Sequence, residues 1–262
     1  LEFRRVLFRS MLEKKFTSPN LNVDEYIVMP DSAEGISFVL TKDLLMTAER
    51  KALQALLLAN PQGDFQWTLA SKHGHIHAFM NLNGDFFSTL ALGIASCPMR
   101  VAVDHCCTDE GCRLIESHFD GWKTLHCFNE SFRLIAWCYS AEHPIMKRSY
   151  VMYLYEKVLT DGTLIWVCWD APEEIQSLFP PVHDTVRGRC DIHSLILRKT
   201  HDASKTAIAH ISRVDYGGRM PTIMMRISAG EEAKYVQRLC KYLKVVHAKG
   251  RSLNVISEVF ED

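Results

Sequence analysis

Arg148-Ser-Tyr-Val-Met-Tyr-Leu-Tyr-Glu-Lys-Val158 opens the stretch whose reading decides the fold. It is the first of four consecutive β-strands joined by tight turns. Asp161-Gly162 turns the chain and Thr163-Leu-Ile-Trp-Val-Cys-Trp169 returns. A third strand near Val186 to Arg198 turns at His201-Asp-Ala-Ser204, and a fourth runs from Thr206 to Asp215. Apolar runs bounded by Gly, Asp and Ser clusters are the pattern of strands and hairpins. An amphipathic helix follows, and a sheet closed by one helix can be hollow.

That helix is expected from Ser228, with Glu231 three residues on as a capping box, to about Val246. Ala229, Ala233, Val236, Leu239, Cys240 and Leu243 form its apolar face, and Lys234, Gln237, Arg238 and Lys241 its polar one. Upstream, Thr41 is an N-cap for a helix in which Leu44, Leu45, Ala48, Ala52, Ala55, Leu56 and Ala59 recur near period 3.6, ended by Asn60-Pro61-Gln-Gly63. Phe65–Ser71 and His75–Leu82 read as a hairpin about Lys72-His73-Gly74.

Asn83-Gly84-Asp85 suits a second hairpin turn, or Asp85 caps a helix through Phe86, Leu90 and Ala91. The helix is preferred, continuing past a break at Cys97-Pro98 towards His105. Leu114–Phe119 and Phe132–Ser140 are strand candidates. The expected order is helix, two strands, helix or helices, about six antiparallel strands and a long C-terminal helix. This is an α+β chain, a curved antiparallel sheet wrapped around the last helix with an internal cavity.

Residues 1–10 read as an adapter- or vector-derived segment, 11–40 as a loosely ordered lead-in, 41–246 as the domain and 247–262 as a tail. A formal net charge of −1 gives no general attraction to nucleic acid, so any membrane contact must come from a local patch. Nine cysteines, an odd set without framework spacing, suit buried reduced thiols and a cytoplasmic protein. No apolar run reaches the roughly 18 residues of a membrane span.

Four segments carry a resemblance. His143-Pro-Ile-Met-Lys-Arg148-Ser-Tyr-Val151 is similar to the Pro…Arg-Asp-(Phe/Tyr)-Val strand start of START domains, with Ser149 in place of the Asp. Asp161-Gly162-Thr-Leu-Ile165 resembles the next hairpin turn of that family, and Val186-Arg187-Gly188 its strand opening. Ser212-Arg-Val-Asp215-Tyr-Gly217-Gly218-Arg-Met-Pro221 resembles its Asp-Pro-Gly-Gly-x-(Ile/Leu)-Pro lead into the final helix. The resemblance implies a helix-grip lipid-binding module over about Thr41 to Val246. The family has a third strand before its first cavity-side helix, for which His75–Leu82 leaves little room.

The implied ligand-binding wall is Trp137, Tyr150, Met152, Leu154, Trp166, Arg187, Met224, Val236 and Cys240. Tyr150, Met152 and Leu154 alternate along one strand and so share a face, with Trp166 opposite. Met224 and Met225, just before the closing helix, are adaptable fillers. The plain alternative is that all of these are core. Arg148 and Arg187 read first as rim residues that cap carbonyls or pair with carboxylates, and second as headgroup contacts. In sterol-binding members of the family an Arg pairs with a buried acid inside the cavity. The matching position here is Leu154, which favours a greasier ligand, and Glu156 is expected to be exposed.

Other chemistry is weakly signalled. His73-Gly-His75-Ile-His77 has strand spacing for a metal, but a turn at Gly74 would break its face. His105, Cys106, Cys107, Cys112 and His118 match no CxxC pair. Phosphate loops and GxSxG elbows are absent from the sequence. The expected function is binding of one lipid, a phospholipid, a sphingolipid or, less favoured, a sterol, for transfer or sensing. It involves no cofactor, metal, nucleic acid or catalysis, and contact with membranes is transient. An enzyme of the same fold (cyclase- or hydrolase-like) and a protein-interaction module with a filled cavity are the alternatives.

Overall fold

The computed structural model describes residues 25–30, 38–83, 85–106, 109–115, 119–140, 146–217 and 222–249; for 109–110, 114, 222–233 and 249 only the backbone is described. In chain order these residues form α1 (Lys42–Leu58), β1 (Thr68–His73), β2 (Ile76–Asn81), β3 (Phe87–Ala95), α2 (Met99–His105) and α3 (Asp109–Ile115). Then come β4 (Phe119–Asn129), β5 (Phe132–Tyr139), β6 (Lys147–Val158), β7 (Leu164–Asp170) and a short α4 (Glu173–Gln176). β8 (Thr185–Arg187), β9 (Arg189–Lys199), β10 (Thr206–Asp215) and α5 (Thr222–Lys249) complete the set. One sheet runs β1-β2-β3-β10-β9-β7-β6-β5-β4, with β8 attached to β6. The fold is α+β, a large antiparallel sheet with a long C-terminal helix, as expected.

Alternation along the strands divides the apolar side chains between two cores. Tyr150, Met152 and Leu154 of β6 belong to an inner core shared with Val236, Leu239 and Leu243 of α5. Val151, Tyr153 and Tyr155 belong to an outer core shared with Ala48, Ala52, Ala55 and Leu58 of α1. The first helix begins where expected, the Oγ1 of Thr41 accepting from the N–H of Leu44 at 3.1 Å.

Turn chemistry explains the hairpins. Gly162 takes φ 83°, a left-handed conformation open to glycine, while the Asp161 carboxylate accepts from the N–H of Thr163 at 2.8 Å. The second Asp turn closes through N–H bonds from Ser204 to the Asp202 carboxylate (3.0 Å) and from Lys205 to its carbonyl (2.9 Å).

Several expectations are corrected. Phe87–Ala95 is a strand and not a helix, paired to β2 on one side and β10 on the other. It is the third strand for which the sequence seemed to leave no room. Its inner face is small (Ala91, Gly93, Ala95) because α5 lies on it; a Cβ at Gly93 would sit 2.6 Å from Val236 Cγ1. Of the strand expected over Leu114–Phe119, Leu114 and Ile115 close α3, the strand starts at Phe119, and 116–118 lie outside the described residues. The third of the four opening strands divides at Gly188 into β8 and β9, and β8 runs parallel to the start of β6, with Arg187 opposite Ser149. The space beside Gly188 is taken by a ring: a Cβ there would lie 2.3 Å from Tyr150 Cε1.

The closing helix starts six residues before Ser228, which is therefore interior to it and not its cap. Met224 is likewise inside the helix, its side chain outside the described residues, as are Gly218 and Pro221. Within the expected lead-in, Tyr26 and Ile27 are buried and Ile27 bridges Pro181, while Glu25 and Val28 are exposed.

Candidate functional site

The closing helix sits to one side of the concave sheet. It packs most closely on β3 and β2, with lighter contact to β1 and β10, and Arg238 Nη1 ties it to the carbonyl of Ile115 at 2.9 Å. The inner faces of β5, β6 and β7 lie on the other side, and they carry the residues singled out from the sequence. Trp137, Tyr150, Met152, Leu154 and Trp166 all join the inner core with Val236 and Cys240. Arg187 stands apart: its Nη2 donates to the carbonyl of Phe179, and Arg148 Nε likewise donates to Tyr216 O at 2.6 Å. Both guanidiniums therefore cap carbonyls.

Large rings cross the concave face. Trp122 of β4 meets Trp166 of β7 at 5.5 Å between ring centroids, and Trp137 of β5 meets His193 of β9 at 5.6 Å. Each pair spans three places in the strand order, about 14 Å in a flat sheet, so the sheet is strongly curved there. His193 contacts His210 at 4.9 Å, and His210 contacts Tyr235 of α5 at 4.3 Å. A continuous series of rings thus leads from the sheet edge to the helix.

The inner face is less purely apolar than expected. Leu154 is buried there, but Arg133, directly across from it on β5, is buried on the same face. Glu156 is half-buried and not exposed, and its Oε2 accepts from Trp166 Nε1 at 2.8 Å. Burial lowers the pKa of Arg133 while Glu156 opposes the shift. An acid and a base are therefore present one rung away from the position at which the sequence showed none. Alternation on β5 and β6 would have found them had the facing of both strands been known.

Asp170, at the end of β7, shares this face. One carboxylate oxygen accepts from the N–H of Cys190 at 2.9 Å; the other, Oδ1, is buried without a hydrogen-bond partner among the described residues. Burial pushes its pKa up to about 7. The indole Nε1 of Trp137 is also buried and unpartnered among these residues. Next to Asp170 the fully buried Tyr150 phenol has its pKa raised well above the ordinary value, again by burial. Neither Trp137 nor Asp170 could be recognised as an orphan from sequence, because partnership depends on neighbours from other strands.

The remaining candidates disperse. Gly74 (φ 60°) puts His73 and His77 on different strands. Cys106 and Cys112 lie in the inner core, while Cys107 and His118 are outside the described residues. No described helix is long and apolar enough to cross a membrane.

No family model matches the sequence, and no curated protein matches it. Solved structures do. Human StAR-related lipid transfer protein 5 superposes with a TM-score of 0.67 at 15% identity, over 78% of this chain and 97% of that one. Human STARD10 gives 0.60 at 10% identity, over 88% and 92%. A STAR-related lipid transfer protein fragment from Xanthomonas axonopodis gives 0.55 at 16% identity, over 68% and 98%. At these identities the likeness concerns architecture: the chain has the helix-grip fold of START domains.

Proposed function

We propose that the chain binds a single lipid between α5 and the β5–β7 half of the concave face, for transfer or sensing and without catalysis. The carrying observation is the off-centre helix, which packs on β2 and β3 and faces Trp137, Tyr150, Met152, Leu154 and Trp166 across the sheet. Val236 and Cys240 seat the helix beside Gly93 of β3 at the margin of this wall, and the helix backbone brings Met224 to its first turn. Each methylene transferred from water is worth about 0.8 kcal/mol, so one acyl chain suffices for retention. The polar end of the lipid meets Asp170 Oδ1 and Trp137 Nε1, two buried polar atoms with no partner among the described residues. Phospholipid and sphingolipid headgroups both carry hydrogen-bonding atoms that answer such positions. A sterol is less favoured, because Leu154 holds the position of the family's cavity arginine.

One observation supports a second reading. The rings from Trp122 to Tyr235 bridge the concave face, as they would in a protein-interaction module whose interior is filled by its own side chains. Native mass spectrometry of protein purified from cells separates the two. The lipid reading requires a stoichiometric adduct of lipid mass that solvent extraction removes. Bare protein from several expression hosts, with no uptake from vesicles, would leave the filled interior.

A further inference from the structure

α1 is arranged the wrong way round for an ordinary surface helix. Its buried side carries three alanines, Ala48, Ala52 and Ala55, with Leu58 at its end, while Leu45, Met46, Leu53 and Leu57 are 40%, 53%, 57% and 65% exposed. Met46, Leu53 and Leu57 fall at i, i+7 and i+11, one stripe along the helix. Lys42 and Arg50 stand four residues either side of Met46, in the same stripe, and both are exposed. Neither is answered by a carboxylate among the described residues; Arg50 Nη2 donates to Thr47 Oγ1 at 3.0 Å. Of the helix's acids, Glu49 is engaged by Lys157 and Tyr155, leaving Asp43 in the first turn.

From this arrangement we infer that α1 is a docking face for an anionic lipid bilayer. Leucine and methionine side chains enter the acyl boundary, while the aliphatic stems of Lys42 and Arg50 follow them and the charges reach the phosphates. Interleaved cations on an apolar stripe complement that interface. A protein partner is less well matched, since the stripe offers no aromatic anchor. Over its described side chains (234–248) the exposed face of α5, by contrast, presents Lys234, Gln237, Lys241 and Lys244 without a large apolar residue among them. Only a few side chains insert, so attachment is weak and reversible. The contact serves the lipid-carrier reading but stands on a separate observation.

Vesicle co-sedimentation of the full chain tests it, using phosphatidylcholine vesicles with and without phosphatidylserine. Binding is expected to need phosphatidylserine and to weaken with salt. Replacing both leucines (Leu53→Gln with Leu57→Gln) should lower vesicle affinity on the order of tenfold or more, and Arg50→Glu should abolish the preference for phosphatidylserine. Circular dichroism checks that these exposed substitutions leave the fold intact. Failure of the wild type to bind, or unaltered binding by the double variant, overturns the proposal. So does a concentration-dependent dimer in light scattering that the double variant dissolves, since the stripe would then serve a second copy. Native mass spectrometry of the same samples reads cargo separately. Vesicle binding without bound lipid refutes the carrier and keeps the docking face; bound lipid without vesicle binding does the reverse.

Discussion

On the outer side of the sheet, α1 lays three alanines against a surface already filled by Phe132, Tyr153 and Trp169. On the inner side, α5 brings Val236, Leu239 and Leu243 against a surface kept small at Ala91, Gly93 and Ala95. Bulk belongs to the sheet in one interface and to the helix in the other. The two faces also treat their carboxylates differently. Asp191, near the outer core, is met by Lys51 Nζ at 2.6 Å and Arg213 Nη1 at 2.8 Å. Asp170, on the inner face, has one N–H and a bare oxygen. The outer carboxylate is satisfied on both oxygens. The inner face retains unmet demands, which is what a surface awaiting a ligand has in common with a surface built for specificity.

The strongest way to sharpen this contrast is through Asp170. Its folded pKa of about 7 lies above the ordinary 3.8, so the folded state keeps a proton that the unfolded chain releases. Stability is therefore lost as pH rises from about 4 to 7, by up to about 4 kcal/mol. Asp170→Asn should flatten that pH dependence in urea titrations. An unchanged slope would show that Asp170 does not hold its proton.

A smaller effect is expected at the helix seam. Gly93→Val places atoms where Val236 stands and should cost about 3 kcal/mol, with part recovered by Val236→Ala. Lack of recovery would mean that β3 and not α5 absorbs the strain. On the outer face, Ala52→Leu overpacks the alanine interface and should cost about 1–3 kcal/mol. The adjacent Leu53→Gln, on the solvent side, should stay within about 0.5 kcal/mol of wild type. Denaturation midpoints of this neighbouring pair measure how sharply α1 divides inside from outside.

Strands with strong turn chemistry at their ends were legible. β10 occupies the expected Thr206–Asp215, and β6 differs by a single residue at its start. β3 was not legible because Leu90, Ala91, Leu92 and Ala95 favour helix locally, and the smallness of Ala91, Gly93 and Ala95 answers a helix more than a hundred residues later. β4 is an edge strand, broken by three register shifts and with Gly121 at φ 150°, so its apolar alternation is interrupted. Ser228 has the chemistry of a cap, yet a helix that continues through it gains more bonds than one that restarts. The apolar members of the inner face were readable from period two. Its polar members were not, since Arg133, Glu156 and Asp170 acquire meaning only from the strands beside them.

The ring series from Trp122 to Tyr235 has a practical consequence. Its last ring rides on α5 and the others on the sheet, so movement of the helix away from β10 parts Tyr235 from His210. Trp137 sits within the series, next to the Trp122 indole and the His193 ring, where its emission senses both polarity and quenching neighbours. The protein thus carries an intrinsic optical reporter at the seam between sheet and helix, readable without any attached dye.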